Sequence, residues 1–463
     1  MIELVRRWAP AIAIVLLALA AARDFARLGD AMPGKTMIDF SVFYCAGSVA
    51  LQKGDPYATG GPLRACEHGI NHGGAWNDPN HEMPAPQPPY DLAFFEALAR
   101  LPYGVAKAAF ALAIVAAVVV TALALADLGV PFVAALAALA LSDGFVGVAN
   151  GQIYPFAVML VALAAAALRA KRDVLAAACI GLTLLVPQIG VPVVLVAAIF
   201  VPRTRVPIAV TIAALGIAGT VALGPHAWTQ WTTALPLATR VETGFAGQYS
   251  LTSVLTAVGV PPGAALAAGA LSSLLVLVLA SYASRRLARE HDRPEFYALV
   301  PAAFAPIGGS YVHLAAIAAS VGLALVLCAG SQPRARFGWV LPAIVILLSV
   351  PWLLTQAHKP LFFSALLVAA CILVQFNVPA RAGVAMAAVT ALVLWALAVR
   401  TPPPITGLEQ FDATRELAKL PTWLGLFGLL AATLRSANDE HALVQVDTRG
   451  RAGAELAAQD RGR

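Results

Sequence analysis

Apolar residues in this chain come in long blocks rather than at alternating or helically spaced positions, and the blocks are bounded by Arg, Lys, Gly and Pro. A helix needs about 20 apolar residues to cross the hydrocarbon core of a bilayer. Predominantly apolar runs of that order lie at about 104–126, 129–149, 152–169, 206–224, 263–283, 338–356, 361–377, 383–399 and 421–435. A shorter one, Trp8 to Ala22, follows Arg6 and Arg7 and precedes Arg23, Asp24 and Phe25. Its flanks fit a retained signal anchor better than a cleaved signal peptide.

Two further runs, 173–201 and 294–329, are too long and too broken for single helices. The first holds Pro187, Gln188, Gly190 and Pro192 at its middle, with Lys171 and Arg172 before it and Arg203 and Arg205 after it. The second holds Pro306, Gly308 and Gly309, with Arg285, Arg286, Arg289 and Arg293 before it and Arg334 and Arg336 after it. Basic residues at both ends of a run place both ends on one side, so each run is expected to form a hairpin of two short helices. Interrupted helices at membrane depth persist where protein or a watery cavity satisfies the freed backbone groups. Two apices on the outer side therefore predict a cavity opening there.

The pattern predicts an all-α polytopic membrane protein of about 12 transmembrane helices, within 10–14, with both termini cytoplasmic. Three segments are expected outside: a large first loop, 23–103, then 225–262 and 400–420. The transmembrane domain spans 1–435, and the tail 436–463 lacks apolar periodicity and reads as disordered. Composition agrees: 60% of residues are hydrophobic and 12% charged, against about 25% charged in soluble domains. That excludes a soluble globular protein and a disordered chain. The net charge of +6 is accounted for by arginines and lysines at the inner boundaries, as the positive-inside rule requires, so no nucleic-acid partner is implied. Thirteen acidic residues fall in the outer segments, nine of them in the first.

Candidate chemistry concentrates on that outer side. Residues 38, 42, 43, 46, 49 and 50 are apolar at helical spacing, which predicts an amphipathic helix along the membrane surface with Asp39 near its start. Asp39 either favours the helix N-terminus through the dipole or serves as a partly desolvated general base. Lys53 Gly54 Asp55 Pro56 Tyr57 ends the helix as a turn, and Pro84 to Tyr90 reads as a stiff connector into the next span. Cys45 and Cys66 share the oxidising side and are candidates to pair. His68 and His72 stand four residues apart near Asp78, His81 and Glu82, but Gly69, Gly73 and Gly74 argue against a helix there, so a polar loop is expected in place of a zinc site. Within the spans, Asp143 and Gln152 are polar residues in or at the end of the third span. His313 follows the second apex. Arg240 is the one Arg or Lys of the second loop, beside Gln248 Tyr249 Ser250 Leu251.

The motifs Asp39 Phe40 with Tyr44, Gly54 Asp55 Pro56 Tyr57, Pro88 Pro89 Tyr90, Leu101 Pro102, Gly151 Gln152, Gln248 Tyr249 Ser250 Leu251, and Pro306 Ile307 with His313 occur in one order. Over roughly residues 37–330 the chain resembles glycosyltransferase family 87, bacterial membrane enzymes of the GT-C fold. The resemblance implies inverting transfer of a hexose, often mannose, from a polyprenyl-phosphate sugar to a glycan or glycolipid acceptor on the outer face of the bacterial inner membrane. It assigns the catalytic base to Asp39. Asp55, Tyr57, Asp143, Gln152, Arg240, Gln248, His313 and Lys359 are then candidates for binding donor or acceptor, with Arg240, His313 and Lys359 facing the departing phosphate. Two positions depart from the family pattern: Val186 stands where a Lys often precedes Pro187, and Gly247 where an Asn is usual. No Gly-rich nucleotide loop follows a strand, which fits a lipid-linked donor with no cofactor and no required metal.

Two other classes compete. A secondary transporter also uses paired interrupted helices, but an outer loop of about 80 residues is foreign to that class. A non-enzymatic polysaccharide-assembly component would share the spans without the polar outer motifs converging.

Overall fold

A computed structural model of the chain describes residues 11–24, 37–71, 85–243, 248–290, 292–309, 311–330, 337–357, 361–399 and 413–438. They form twenty principal helices: α1 (11–24), α2 (Ile38–Leu51), α3 (Gly61–Asn71), α4 (Pro89–Leu98), α5 (Tyr103–Asp127), α6 (Phe132–Asn150), α7 (Tyr154–Arg169), α8 (Asp173–Leu182), α9 (Pro187–Phe200) and α10 (Arg205–Leu223). After these come α11 (His226–Thr243), α12 (Leu251–Ala257), α13 (Pro262–Glu290), α14 (Phe296–Gly308), α15 (Ala318–Ala329), α16 (Val340–Ser349), α17 (Trp352–Ala357), α18 (Leu361–Gln375), α19 (Ala380–Val399) and α20 (Ala413–Asn438).

Among the described residues, five helical stretches are long and apolar enough to cross a bilayer, in α5, α6, α10, α13 and α20. Nine further apolar helices have 10–17 residues. The difference from the expected count of about 12 has a local cause: proline and glycine cut several predicted runs into shorter pieces. Run 338–356, for example, breaks at Val350 and Pro351 between α16 and α17. Large side chains on the outward faces stay uncovered, Val206 73%, Ile217 64% and Val221 80% exposed on α10 and Leu112 70% exposed on α5. Contiguous apolar surface of that kind fits lipid, not water.

Both interrupted runs fold back on themselves. Asp173 at the start of α8 lies 3.8 Å from Arg203 just past the end of α9, so the two helices are antiparallel and the ends away from the apex meet. At the other end, a Cβ on Gly190 would sit 2.5 Å from the Thr183 carbonyl oxygen, a closeness only glycine permits. In the second hairpin the Ser320 hydroxyl of α15 donates to the Ala303 carbonyl of α14 at 2.7 Å. Small residues let these backbones approach: Ala298, Ala302 and Ala303 are fully buried, and a Cβ on Gly308 would meet Val276 of α13 at 2.6 Å.

The termini that carry arginines gather at one end of the bundle. Arg169 donates to the Leu128 carbonyl at 3.0 Å, and the buried Glu295 takes Arg293 at 2.7 Å and Arg169 at 3.7 Å. The turn between α6 and α7, both hairpin apices and residues 248–250 meet at the opposite end.

Helix α2 differs from its expectation. It is no surface helix: ten of its fourteen residues are buried, under α3 and α4. The apolar stripe was real, but Ser41, Cys45 and Gly47 on the remaining face are small enough to be covered too. Gly47 presses on the Phe95 backbone of α4, where a Cβ would stand 2.4 Å away. Helix α3 forms through Gly69, against expectation. Its buried Leu63 and half-buried Cys66 and Ile70 pack on α2, and tertiary packing outweighs the roughly 1 kcal/mol propensity cost of a glycine. Helix α20 begins at Ala413, inside the segment expected as a third loop.

Candidate functional site

The two hairpin apices share one cavity of about 90 Å3. Leu185, Val186, Pro187 and Gln188 of the first apex form one wall, and Tyr311 and His313 of the second form another. Asp39, Val42 and Phe43 of α2 enter from a third side, Gln87, Pro88 and Asp91 from the start of α4, and Gln152 to Tyr154 from the α6–α7 turn.

Each polar group is held by a backbone feature. Gly151 caps α6 in the left-handed region, φ 73°, and a Cβ there would lie 2.5 Å from the Phe40 Cβ, so glycine is required for α2 to approach. That approach lets the Gln152 side-chain amide donate to Asp39 Oδ2. Met37 is tied to the same turn by its N–H, 2.7 Å from the Ala149 carbonyl. The carboxylate of Asp39 is therefore oriented by an amide donor and remains half-exposed to the cavity.

The second apex is fixed from residues 248–250. Tyr249 N–H donates to the Val312 carbonyl at 2.7 Å, and Val312 N–H donates to Gln248 Oε1 at 2.8 Å. His313 Nε2 and the Tyr311 hydroxyl lie 2.8 Å apart, their rings edge to face. Below this loop the Lys419 ammonium of α20, 1% exposed, sits 5.8 Å from the centre of the Tyr249 ring.

Asp91, in the first turn of α4, is the residue that sequence reasoning missed. It is 2% exposed, and neither carboxyl oxygen has a hydrogen-bond partner among the described residues. Burial alone holds its carboxyl well above the usual carboxylate range. Two tyrosines flank it with hydroxyls engaged elsewhere, Tyr57 donating to the Gln87 carbonyl at 3.0 Å and Tyr90 to the Leu184 carbonyl at 2.9 Å. Burial, then the neighbouring Asp91 carboxyl, raises both phenols above their ordinary value. The signal in the chain was an acidic residue directly after Pro88 Pro89 Tyr90, two positions into a helix.

Of the sequence candidates, Asp39, Gln152 and His313 line the cavity together. Gln248 supports the second apex from behind. Asp55 is exposed and accepts the Tyr57 N–H at 2.9 Å, a turn-forming contact, while Tyr57 is buried beside the cavity. Asp143 is fully buried in a π-helical turn, Ala140–Phe145, and is not in the cavity wall. The Arg240 side chain and Lys359 lie outside the described residues, as do His72, Asp78, His81 and Glu82. Cys45 and Cys66 form a disulfide that staples α2 to α3. Among the described residues no group of three or more His, Cys, Asp or Glu is placed to hold a metal ion.

Fold and cavity together define a multi-pass helical membrane protein with a polar pocket between two interrupted hairpins. Residues 87–307 match the model of glycosyltransferase family 87. The family resemblance carried by the motifs is met over that stretch, and the match indicates a membrane glycosyltransferase. Asp91 and Gln152 lie inside the matched residues, Asp39 and His313 outside them. No curated protein and no solved structure matches the chain.

Proposed function

We propose that the protein transfers a hexose, mannose-like, from a polyprenyl-phosphate sugar to a glycan or glycolipid acceptor at the extracytoplasmic face, with inversion and with Asp39 as general base. The observation that carries this is the Asp39 carboxylate, oriented by Gln152, opening into the cavity between the hairpin apices. The amide donating to Oδ2 orients the carboxylate at the cavity wall, where an acceptor hydroxyl would enter.

In the reaction the acceptor hydroxyl oxygen bonds to the anomeric carbon while Asp39 takes its proton. The bond from that carbon to the phosphate oxygen breaks, and the electron pair leaves with the polyprenyl phosphate. His313, on the apex across the cavity and paired with the Tyr311 hydroxyl, would donate to the departing oxyanion. The isoprenoid chain would lie against the uncovered apolar helix faces.

Two features support the extracytoplasmic side. The Cys45–Cys66 disulfide lies at the cavity end, and disulfides persist in oxidising compartments. The arginines gather at the other end, the side that positive charge keeps in the cytoplasm.

The test uses membranes carrying the protein and radiolabelled polyprenyl-phosphate sugars. Asp39→Asn, of the same shape and still able to accept the Gln152 amide, should lower transfer about 10²–10⁴-fold, the usual worth of a general base. Full transfer by the Asn variant would remove Asp39 from this role.

A further inference from the structure

The cavity holds a second carboxyl that the proton transfer does not use. Asp91 faces Asp39 from the start of α4 and, unlike it, meets no donor: both oxygens are buried and unpartnered among the described residues. A buried polar group left unpaired costs about 1–3 kcal/mol, and a leucine at this place would remove that cost. The nearest hydroxyls, those of Tyr57 and Tyr90, are turned to the Gln87 and Leu184 carbonyls. Nothing in the surrounding fold therefore satisfies Asp91, and the open direction is the cavity.

We propose that Asp91 is a substrate-binding residue that hydrogen-bonds a hydroxyl of the sugar being transferred and selects for that hydroxyl. The proposal rests on the glycosyl-transfer reading of the cavity. The chemistry suits a polyol: a carboxyl group with two unpartnered oxygens can engage one hydroxyl, or two adjacent ones, and Gln87, whose buried Oε1 also has no partner among the described residues, lines the same wall. Burial raises the carboxyl's pKa well above the usual carboxylate range, which favours the protonated form, and a carboxylic acid both donates to and accepts from a hydroxyl. Asp39 and Asp91 then divide the work within one pocket, the first taking the acceptor's proton and the second holding a sugar hydroxyl. A site built to bind a hydroxyl rejects the analogue lacking it far more strongly than an apolar pocket would.

The experiment uses the full chain in membranes. The donor is whichever of polyprenyl-phosphate mannose, glucose or galactose the wild type uses, together with its singly deoxygenated counterparts. Asp91→Leu should lower kcat/KM for the parent sugar at least tenfold, and Asp91→Asn, which keeps a donor and an acceptor, should recover most of it. One deoxy donor should lose the same factor with the wild type and lose nothing further with Asp91→Leu. Thermal unfolding should show Asp91→Leu at least as stable as the wild type, since it removes an unpaired buried carboxyl, and Asp91→Asn, which keeps unpaired polar atoms there, unchanged. Unchanged kcat/KM and unchanged selectivity in Asp91→Leu, or a lower melting temperature in both variants, would overturn the inference. Asp39→Asn run alongside separates the two ideas. If it abolishes transfer while the Asp91 variants behave as wild type, only the role of Asp91 fails; if it transfers normally, the cavity is not the transfer site and both fail.

Discussion

The two ends of the bundle treat their carboxylates in opposite ways. At the arginine-bearing end Asp173 meets Arg203 at 3.8 Å, and Glu295, 1% exposed at its side chain, is met by Arg293 and Arg169 at 2.7 and 3.7 Å. At the cavity end Asp39 takes a neutral amide, and Asp91 takes nothing. Acidic groups at the first end close a helix junction against arginines, two of them on Glu295 Oε1, while Glu295 Oε2 has no hydrogen-bond partner among the described residues. At the second, Asp91 is left without a partner among the described residues, at some cost in stability, the usual condition of a group that waits for a ligand. The ends also differ in how they are fastened: charge pairs at one, the Cys45–Cys66 crosslink at the other.

The crosslink offers the largest expected effect. It closes a loop between residues 21 apart, for which chain entropy gives about 3 kcal/mol. Cys45→Ala with Cys66→Ala should lower the melting temperature and, because α2 carries Asp39, lower transfer as well, while the charge pairs at the far end are undisturbed. Melting temperature and transfer rate measured with and without reductant check this. If the double variant retains both, α2 is held by packing alone and the contrast in fastening disappears.

A smaller change comes from Glu295→Gln. It leaves Arg293 and Arg169 without their shared carboxylate at a buried junction, and the loss should be on the order of 1–2 kcal/mol because both guanidinium groups keep part of their exposure to water. The sign is opposite to that expected for Asp91→Leu. Thermal unfolding of the two variants side by side is the measurement, and equal signs would break the comparison.

Much of this architecture was legible in the chain. Pro187, Gly190 and Pro192 in one run and Pro306, Gly308 and Gly309 in another, each framed by basic residues, encode two hairpins because the breaks and the charges are local signals. Asp39 could be singled out because it opens a helix in a long polar segment. Asp91 could not, since its burial depends on partners far along the chain. Gly219 of α10 packs where a Cβ would be 2.8 Å from the Tyr90 nitrogen, and α2 covers the other side of α4. Nothing in Pro88 Pro89 Tyr90 Asp91 announces those contacts. The same holds for α2, whose small residues read as a polar face and serve as a packing face. The helicity of α3 follows from its docking on α2, so its glycines misled.

Helix α3 also supplies the smallest test. Burial pushes the Glu67 carboxyl up from its ordinary 4.5 to about 7. Between these values the unfolded chain has released the proton while the folded one still holds it. The folded state then binds more protons, and stability falls as pH rises. Below pH 4.5 both states are protonated and nothing is lost; above about 7 the loss is complete. Glu67→Gln cannot ionise, so its melting temperature should match the wild type in acid and exceed it at neutral pH, the gap opening across that window. Glu67 is partly open to water, which keeps the gap modest. Parallel curves for the two proteins would mean that Glu67 is solvated in the folded state, and Asp91 would then be the unpaired carboxyl on α3 and α4, the helices covering α2.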